Sequence, residues 1–408
     1  MIQTFQPDSP WLILAPHIKY PLRNGGDILL EKIAHYISYH VPHVILMGMD
    51  TIRRYERGTV VEDIEFPNKH RDKRLASVQT LLFQGHYLER KFNTKLYTQR
   101  ALYYLQKPDY KTVLYSYIST TFLQKYSSLR TDQFSIICTQ NDEFKWFEDL
   151  QSPNLSVFTR LVAWQSYRWL KAWFADWQDN FLFLHVSSSD AKGFDRYFPQ
   201  HSRLLMSVGA DEEDIDCELT ITNSSEQITL LFVGSLSTQM NYDALTCFAQ
   251  KFYPVLHNRL GEALSIQIVG SSPSSLVQQL CSSMNWNLHA NVSDTELRSL
   301  LQTASFSILP FNYATGAKLK LLKSLSNGLP YLATPYVVDP SDIVPAPCYV
   351  SNDPKGWVDH LMGVQTQGGV SPEERLALRS FARQFTWRNV ISQLFTRLQQ
   401  YAPSANLD

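Results

Sequence analysis

The sequence predicts an α/β protein with two cores and a cleft, and three observations carry that expectation. The chain has 408 residues, too many for one ordinary core and enough for two domains of about 150–220 residues each. Short apolar runs bounded by turn residues recur with helical patterns between them, the form taken by parallel strands joined by helices. The polar, acidic stretch DEEDIDCELTITNSSEQ, residues 211–227, has neither helical nor strand periodicity and reads as a linker between two such series.

The first series fills residues 1–210. WLILAP (11–16) is a strand, the glycine turn NGGD (24–27) opens the helix ILLEKIAHYISYH, and HVILMGM is the next strand, which completes a βαβ unit. Residues 76–106 turn helical, TVLYSYIS and FSIICTQ are further strands, and a helix over 161–178 leads to the strand FLFLHV. The second series fills residues 228–385. ITLLFVGSL is a strand ending in a glycine turn, NYDALTCFAQKFYPVLHNRL a helix, LSIQIVGS a strand, and SDTELRSLLQTA a helix with a serine cap. SFSILPF, the helix within GAKLKLLKSLSNGLPYLAT (316–334), PYLATPY and CYVSN continue the alternation, and a last helix occupies 386–400 before the tail to 408.

Charge and composition narrow the partners. Lysine plus arginine number 37 against 38 acidic residues, so the net charge of −1 gives no global attraction to nucleic acid or an acidic membrane. An anion site has to be local. The five cysteines, at 138, 217, 247, 281 and 348, show no CxxC pair or regular framework, which points to a reduced, cytoplasmic compartment. No apolar run approaches the roughly 20 residues of a membrane span, so the expectation is a soluble protein, at most peripheral to the inner membrane surface. Oligomeric state is not legible.

In open α/β sheets, ligands bind beyond the carboxyl ends of strands, where glycine turns let a helix start approach an anion. Gly25 with Gly26, Gly234 followed by Ser235, and Gly316 followed by Ala317 mark three such turns, although none completes the dinucleotide pattern GxGxxG. Lys318 and Lys320 fall in the first turn of a helix, where the dipole disfavours cations by about 0.3–1 kcal/mol each unless an anion offsets them. A diphosphate fits that requirement, with a solvated basic face as the plain alternative. Lys323 lies one turn deeper near the face of Lys320.

The ordered set YPLRNGGD, TQNDE, SVGADEED, LLFVGSLSTQMNYDAL, LSIQIVGSS and TGAKLKLLKSLSNGLPYLAT resembles the family 4 glycosyltransferases of GT-B fold, retaining enzymes that use nucleotide sugars. The resemblance covers nearly the whole chain and is densest over residues 230–334. It implies two Rossmann-like domains facing a cleft, with the nucleotide sugar on the C-terminal domain, the acceptor on the N-terminal one, and a C-terminal helix crossing back. It further implies a UDP- or GDP-sugar as co-substrate, no metal and no other cofactor. The acceptor would be a saccharide, glycolipid or protein side chain, and no nucleic acid is expected.

The resemblance also implies roles. Gly25 and Gly26 would approach the sugar and its diphosphate, with Gly234, Ser235, Gly316 and Ala317 completing the donor site. Lys318 or Lys320 would neutralise phosphates, and Gly26, Gln140 and Lys320 would be the catalytic set. Thr315 and Lys323 stand where members often carry two glutamates, the second a ribose acceptor. A charged lysine cannot accept from a hydroxyl, so Lys323 would instead meet a phosphate or an acidic sugar's carboxylate, or mark lost catalysis. Gln140 replaces a common histidine and can orient a hydroxyl but not take its proton. Asn141, Asp142 and Glu143 would contact the acceptor or cap the next helix. His17 is a further acceptor candidate, against the rule that a lone histidine is structural. The acidic run at 211–216 offers an Asp-x-Asp, with a solvated linker face the better reading. Trp164, Trp169, Trp173 and Trp177, with Arg160, Arg168 and Lys171, are divided between domain packing and an acceptor or membrane surface. A catalytically silent GT-B protein that binds glycan or supports a partner enzyme is the alternative function.

Overall fold

The computed structural model describes residues 3–22, 25–67, 72–83, 85–125, 132–175, 180–219, 227–313, 318–338 and 342–402. Two compact units divide the chain, unit 1 with residues 1–207 and 390–408 and unit 2 with residues 208–389.

Unit 1 is built on a sheet of eight strands among the described residues: β1 (Trp11–Leu14), β2 (Val44–Met47), β3 (Thr51–Glu56), β4 (Thr59–Glu65), β5 (Thr112–Ser116), β6 (Phe134–Thr139), β7 (Phe181–His185) and β8 (Arg203–Leu205). Their order is β4-β3-β2-β1-β5-β6-β7-β8, parallel except for β3, which runs antiparallel to both neighbours. Every residue of β1, β2, β5, β6 and β7 is buried, as strands covered on both faces require. The order reverses between β1 and β5, which places the switch point at the chain segments leaving those two strands. Phe395, from the last helix Trp387–Leu398, packs 6.1 Å from Phe5 and 5.7 Å from Trp11. The helix predicted over 161–178 spans Val157–Ala175. On it, Trp169 and Trp173 stack at 5.7 Å and pack half-buried on the unit 1 core. Trp164 is exposed under Arg168, at 4.6 Å, and Trp177 lies outside the described residues.

Unit 2 carries an all-parallel sheet of β9 (Ile228–Val233), β10 (Leu264–Gly270), β11 (Asn287–Ala290), β12 (Phe306–Leu309), β13 (Tyr331–Ala333) and β14 (Tyr349–Val350), in the order β11-β10-β9-β12-β13-β14. Here the switch point falls between β9 and β12. The long helix after β9 passes through a π turn at Phe248–Phe252 before Tyr253–Leu260, where Pro254 has no N–H to continue the ladder. Arg375, buried at 4% exposure, donates to the carbonyls of Gln302, Ala304 and Gly328. A guanidinium thereby closes the negative ends of the helices Asp294–Thr303 and Lys318–Ser326.

The acidic stretch departs from the linker expectation. Glu212–Asp216 is a short helix inside unit 2, and residues 220–226 lie outside the described residues. Ion pairs explain it: Asp214, with its side chain only 5% exposed, meets Lys323 at 2.6 Å and Arg298 at 3.6 Å, Asp216 meets Arg383 at 2.6 Å, and Glu212 meets Arg388 at 3.2 Å. These carboxylates are matched by cations, and among the described residues no group of three His, Cys, Asp or Glu side chains could hold a metal ion. Ala210, just before the run, bridges Thr386.

Candidate functional site

Each unit gathers its chemistry at its own switch point. In unit 1, the segments leaving β1, β5 and β6 line a cavity of about 360 Å³ whose walls include His17, Phe92, Tyr117, Asn141, Glu143 and Trp146. That volume is within the range of small-molecule sites.

Glu143 is the most unusual group there. It opens the helix Glu143–Asp149, yet its side chain turns inward to 3% exposure, and Oε2 accepts from the backbone N–H of Ile118 at 2.5 Å and of Ser119 at 3.3 Å. Burial pushes its pKa up to about 7, against the downward pull of those hydrogen bonds. Oε1 has no partner among the described residues. Tyr117 sits opposite with a left-handed φ of 65°, a costly conformation for a bulky residue. Its hydroxyl donates to Gln140 Oε1 at 3.0 Å, and Gln140 Nε2 reaches Ser116 Oγ at 3.4 Å. Gln140 is thus a fixed amide beside the cavity. His17 is 5.1 Å from the Tyr117 ring, and its Nε2 lies 3.3 Å from Asp27 Oδ1. Asp27 belongs to the first turn of Gly25–Ile37, which places the Gly25 and Gly26 amides at a helix start after β1.

Of the four acceptor candidates, the cavity brings together His17, Asn141 and Glu143. Asp142 does other work: Oδ1 accepts from the N–H groups of Phe144 and Lys145, both at 3.0 Å, which is the capping alternative. Phe92, Tyr117 and Trp146 were missed by the sequence reading. Position at the carboxyl end of β5 is the signal that could have found Tyr117.

In unit 2, Gly234 ends β9 and its N–H donates to Val269 O at 3.0 Å. A Cβ on Gly270 would fall 1.7 Å from Gly234 O, so two backbones meet where no side chain fits. Asn241 Nδ2 donates to Ser235 O at 2.8 Å, and Ser235 Oγ reaches Ser237 Oγ at 3.2 Å. These bonds hold the turn, with Ser235 half-buried and Ser237 exposed.

On the other side of the switch point, the helix Lys318–Ser326 follows β12. Gly316, Ala317, Thr315 and the Lys318 side chain lie outside the described residues. Lys320 lies in the first turn, its ammonium 5.4 Å over the Phe311 ring, and burial lowers its pKa to about 8. It has no ion-pair partner among the described residues. Lys323 differs, since its ammonium is held by Asp214 from the acidic helix. Lys323 therefore serves the packing of unit 2, which removes the unbalanced charge that made it an anion candidate.

Residues 227–365 match the family described as Glycosyl transferases group 1. No curated protein sequence matches the chain. Solved structures similar in fold include sucrose-phosphate synthase from Thermosynechococcus elongatus, with TM-score 0.64 and 12% identity over 96% of this chain and 98% of that one. WaaG, a glycosyltransferase involved in lipopolysaccharide biosynthesis, gives TM-score 0.59 and 15% identity over 95% and 99%. HepE from Anabaena, solved with UDP and glucose, gives TM-score 0.59 and 10% identity over 96% and 100%. The fold is that of the GT-B glycosyltransferases. The segment from β9 to the helix Pro354–Thr366 carries the group 1 glycosyl transferase sequence pattern.

Proposed function

We propose that the protein is a retaining, metal-independent glycosyltransferase that moves a sugar from a UDP- or GDP-sugar to a saccharide, glycolipid or protein acceptor. Unit 2 holds the nucleotide sugar at the Gly234–Ser235 turn and the start of Lys318–Ser326, and unit 1 holds the acceptor. The single observation that carries the reading is Lys320, a cation without a counter-ion among the described residues at a helix start on the switch point of the group 1 segment. A diphosphate would supply the missing charge.

Charge building on the leaving diphosphate is met by the Lys320 ammonium. The acceptor hydroxyl attacks from the face that the leaving group vacates and gives its proton to a donor phosphate oxygen. Gln140, fixed by Tyr117, orients a hydroxyl and takes no proton. Such a mechanism asks for no histidine base at that position.

The alternative, a catalytically silent GT-B protein, draws on Lys323, whose place in the helix holds no acid for a ribose hydroxyl. Thermal-shift titration with UDP, GDP and their sugars separates the two. The enzyme reading expects a specific nucleoside diphosphate to raise Tm by mass action, about 2.7 kcal/mol of stabilisation at a hundredfold excess over Kd. No shift with any nucleotide at millimolar concentration would remove it.

A further inference from the structure

The charge lining the unit 1 cavity says what kind of acceptor it admits, given the acceptor role proposed for unit 1. Its polar lining consists of His17, Asn141, Glu143 and hydroxyl groups, and no lysine or arginine lines it among the described residues. The wall helix Tyr87–Phe92 carries two cations, Arg90 and Lys91, neither of which lines the cavity; the Lys91 ammonium lies 4.5 Å over Phe92 and 5.9 Å from Tyr87, and burial lowers its pKa. His17 faces the Asp27 carboxylate, so any positive charge it takes up is already matched. A phosphate or carboxylate entering here would find no lysine or arginine among the described lining residues, and once Glu143 ionises, above about pH 7, it would also meet that buried carboxylate.

A neutral sugar meets none of these penalties. Trp146, 38% exposed, with Phe92 and Tyr117 offers ring faces for the apolar side of a pyranose. Glu143 Oε1, buried and unpartnered, supplies a hydrogen bond that the protein leaves unmade.

We propose that this cavity takes an uncharged sugar, laid on Trp146 and hydrogen-bonded through Glu143 and Asn141, and that it excludes phosphorylated and carboxylated sugars. The test is tryptophan fluorescence of the full chain, without nucleotide, titrated with the methyl glycosides of glucose, galactose, mannose and N-acetylglucosamine. Glucose 6-phosphate, mannose 6-phosphate and glucuronate form the charged set. At least one neutral glycoside should give a saturable change that Trp146→Phe abolishes and Glu143→Leu weakens tenfold or more. Charged sugars should bind at least tenfold more weakly than their neutral counterparts. Glu143→Gln, whose amide oxygen can still accept from the Ile118 and Ser119 N–H groups and which removes the charge, should retain the neutral sugar and narrow that gap. Equal or tighter binding of the charged sugars, a response that survives Trp146→Phe, or no response to any neutral glycoside would each overturn the proposal. A parallel thermal shift with nucleoside diphosphate and no sugar keeps the two readings apart. A nucleotide shift with no sugar response sinks only the acceptor inference, whereas a sugar response with no nucleotide shift sinks the transfer reading.

Discussion

Lys320 and Lys323 occupy one helix and do opposite things. Lys320 has no acid partner among the described residues, and its amine sits near pKa 8 because burial disfavours the charged form. A bound diphosphate would restore the charge, so binding should take up a proton around pH 8. Nucleoside diphosphate affinity should fall between pH 7.5 and 9.5, by at most about tenfold per pH unit, and calorimetric binding heats should depend on the buffer's ionisation enthalpy. Lys320→Met should remove both effects, and a pH-independent affinity would argue against the assignment. Lys323 is a packing residue. Asp214→Asn leaves its ammonium and Arg298 facing a neutral amide, and because both cations are about one-third exposed the cost should be near about 1–2 kcal/mol, read from urea unfolding. Neither partner predicts the other in sequence, since 109 residues separate them. The lysine was legible; its acid was not.

Side chains of β6, of β7 and of the segment leading into β8 are tied in a chain. His201 Nδ1 donates to the Phe198 carbonyl, and with both rings neutral its Nε2 accepts the N–H of His185 Nε2 at 3.0 Å while His185 Nδ1 accepts the Thr139 hydroxyl at 2.7 Å. The lowered pKa values of both rings favour that neutral arrangement. Burial lowers the pKa of His185 to about 3 and that of His201 below its ordinary value, with Arg203 adding to both and Asp195 opposing at His201. The folded pKa values lie below the unfolded one near 6.5, so the stabilisation is complete above that pH and is lost as pH falls through 6 towards 3. Glu143 acts in the opposite sense: its raised pKa makes the folded state hold the extra proton, so its contribution is present at low pH and is lost as pH rises from 4.5 through 7. Denaturant midpoints measured from pH 8 to pH 4 should drop below pH 6.5, and His201→Gln should flatten that drop. An unchanged acid slope in the variant would contradict the tautomer chain.

The alternation of strands and helices was legible because β1, β2, β5, β6 and β7 are buried on both faces and so read as unbroken apolar runs. The hairpin of β3 and β4 escaped because it is an edge element, with Glu62, Asp63 and Glu65 on the mostly exposed β4 and Arg53, Arg54 and Glu56 half-buried on β3. Its turn at Arg57 and Gly58, with φ of 48° and 76°, was the available signal. The acidic run 211–216 misled for a related reason, since helical periodicity cannot show in a helix as short as Glu212–Asp216 whose burial rests on ion pairs. At the unit 1 cavity, the motif residues His17, Asn141 and Glu143 were legible from their places after strands, whereas Phe92 and Trp146 arrive on helices with no local mark of their role.

On the scale of the whole molecule, the proposed reaction is sugar transfer from a nucleotide sugar. Release of free UDP or GDP from its sugar nucleotide, measured with and without a neutral sugar acceptor, tests it most directly. Release should be accelerated by the acceptor, lowered by about two orders of magnitude or more in Lys320→Ala, and should leave the transferred sugar with its anomeric configuration retained. Nucleotide binding without release from any UDP- or GDP-sugar, or release indifferent to Lys320, would contradict it.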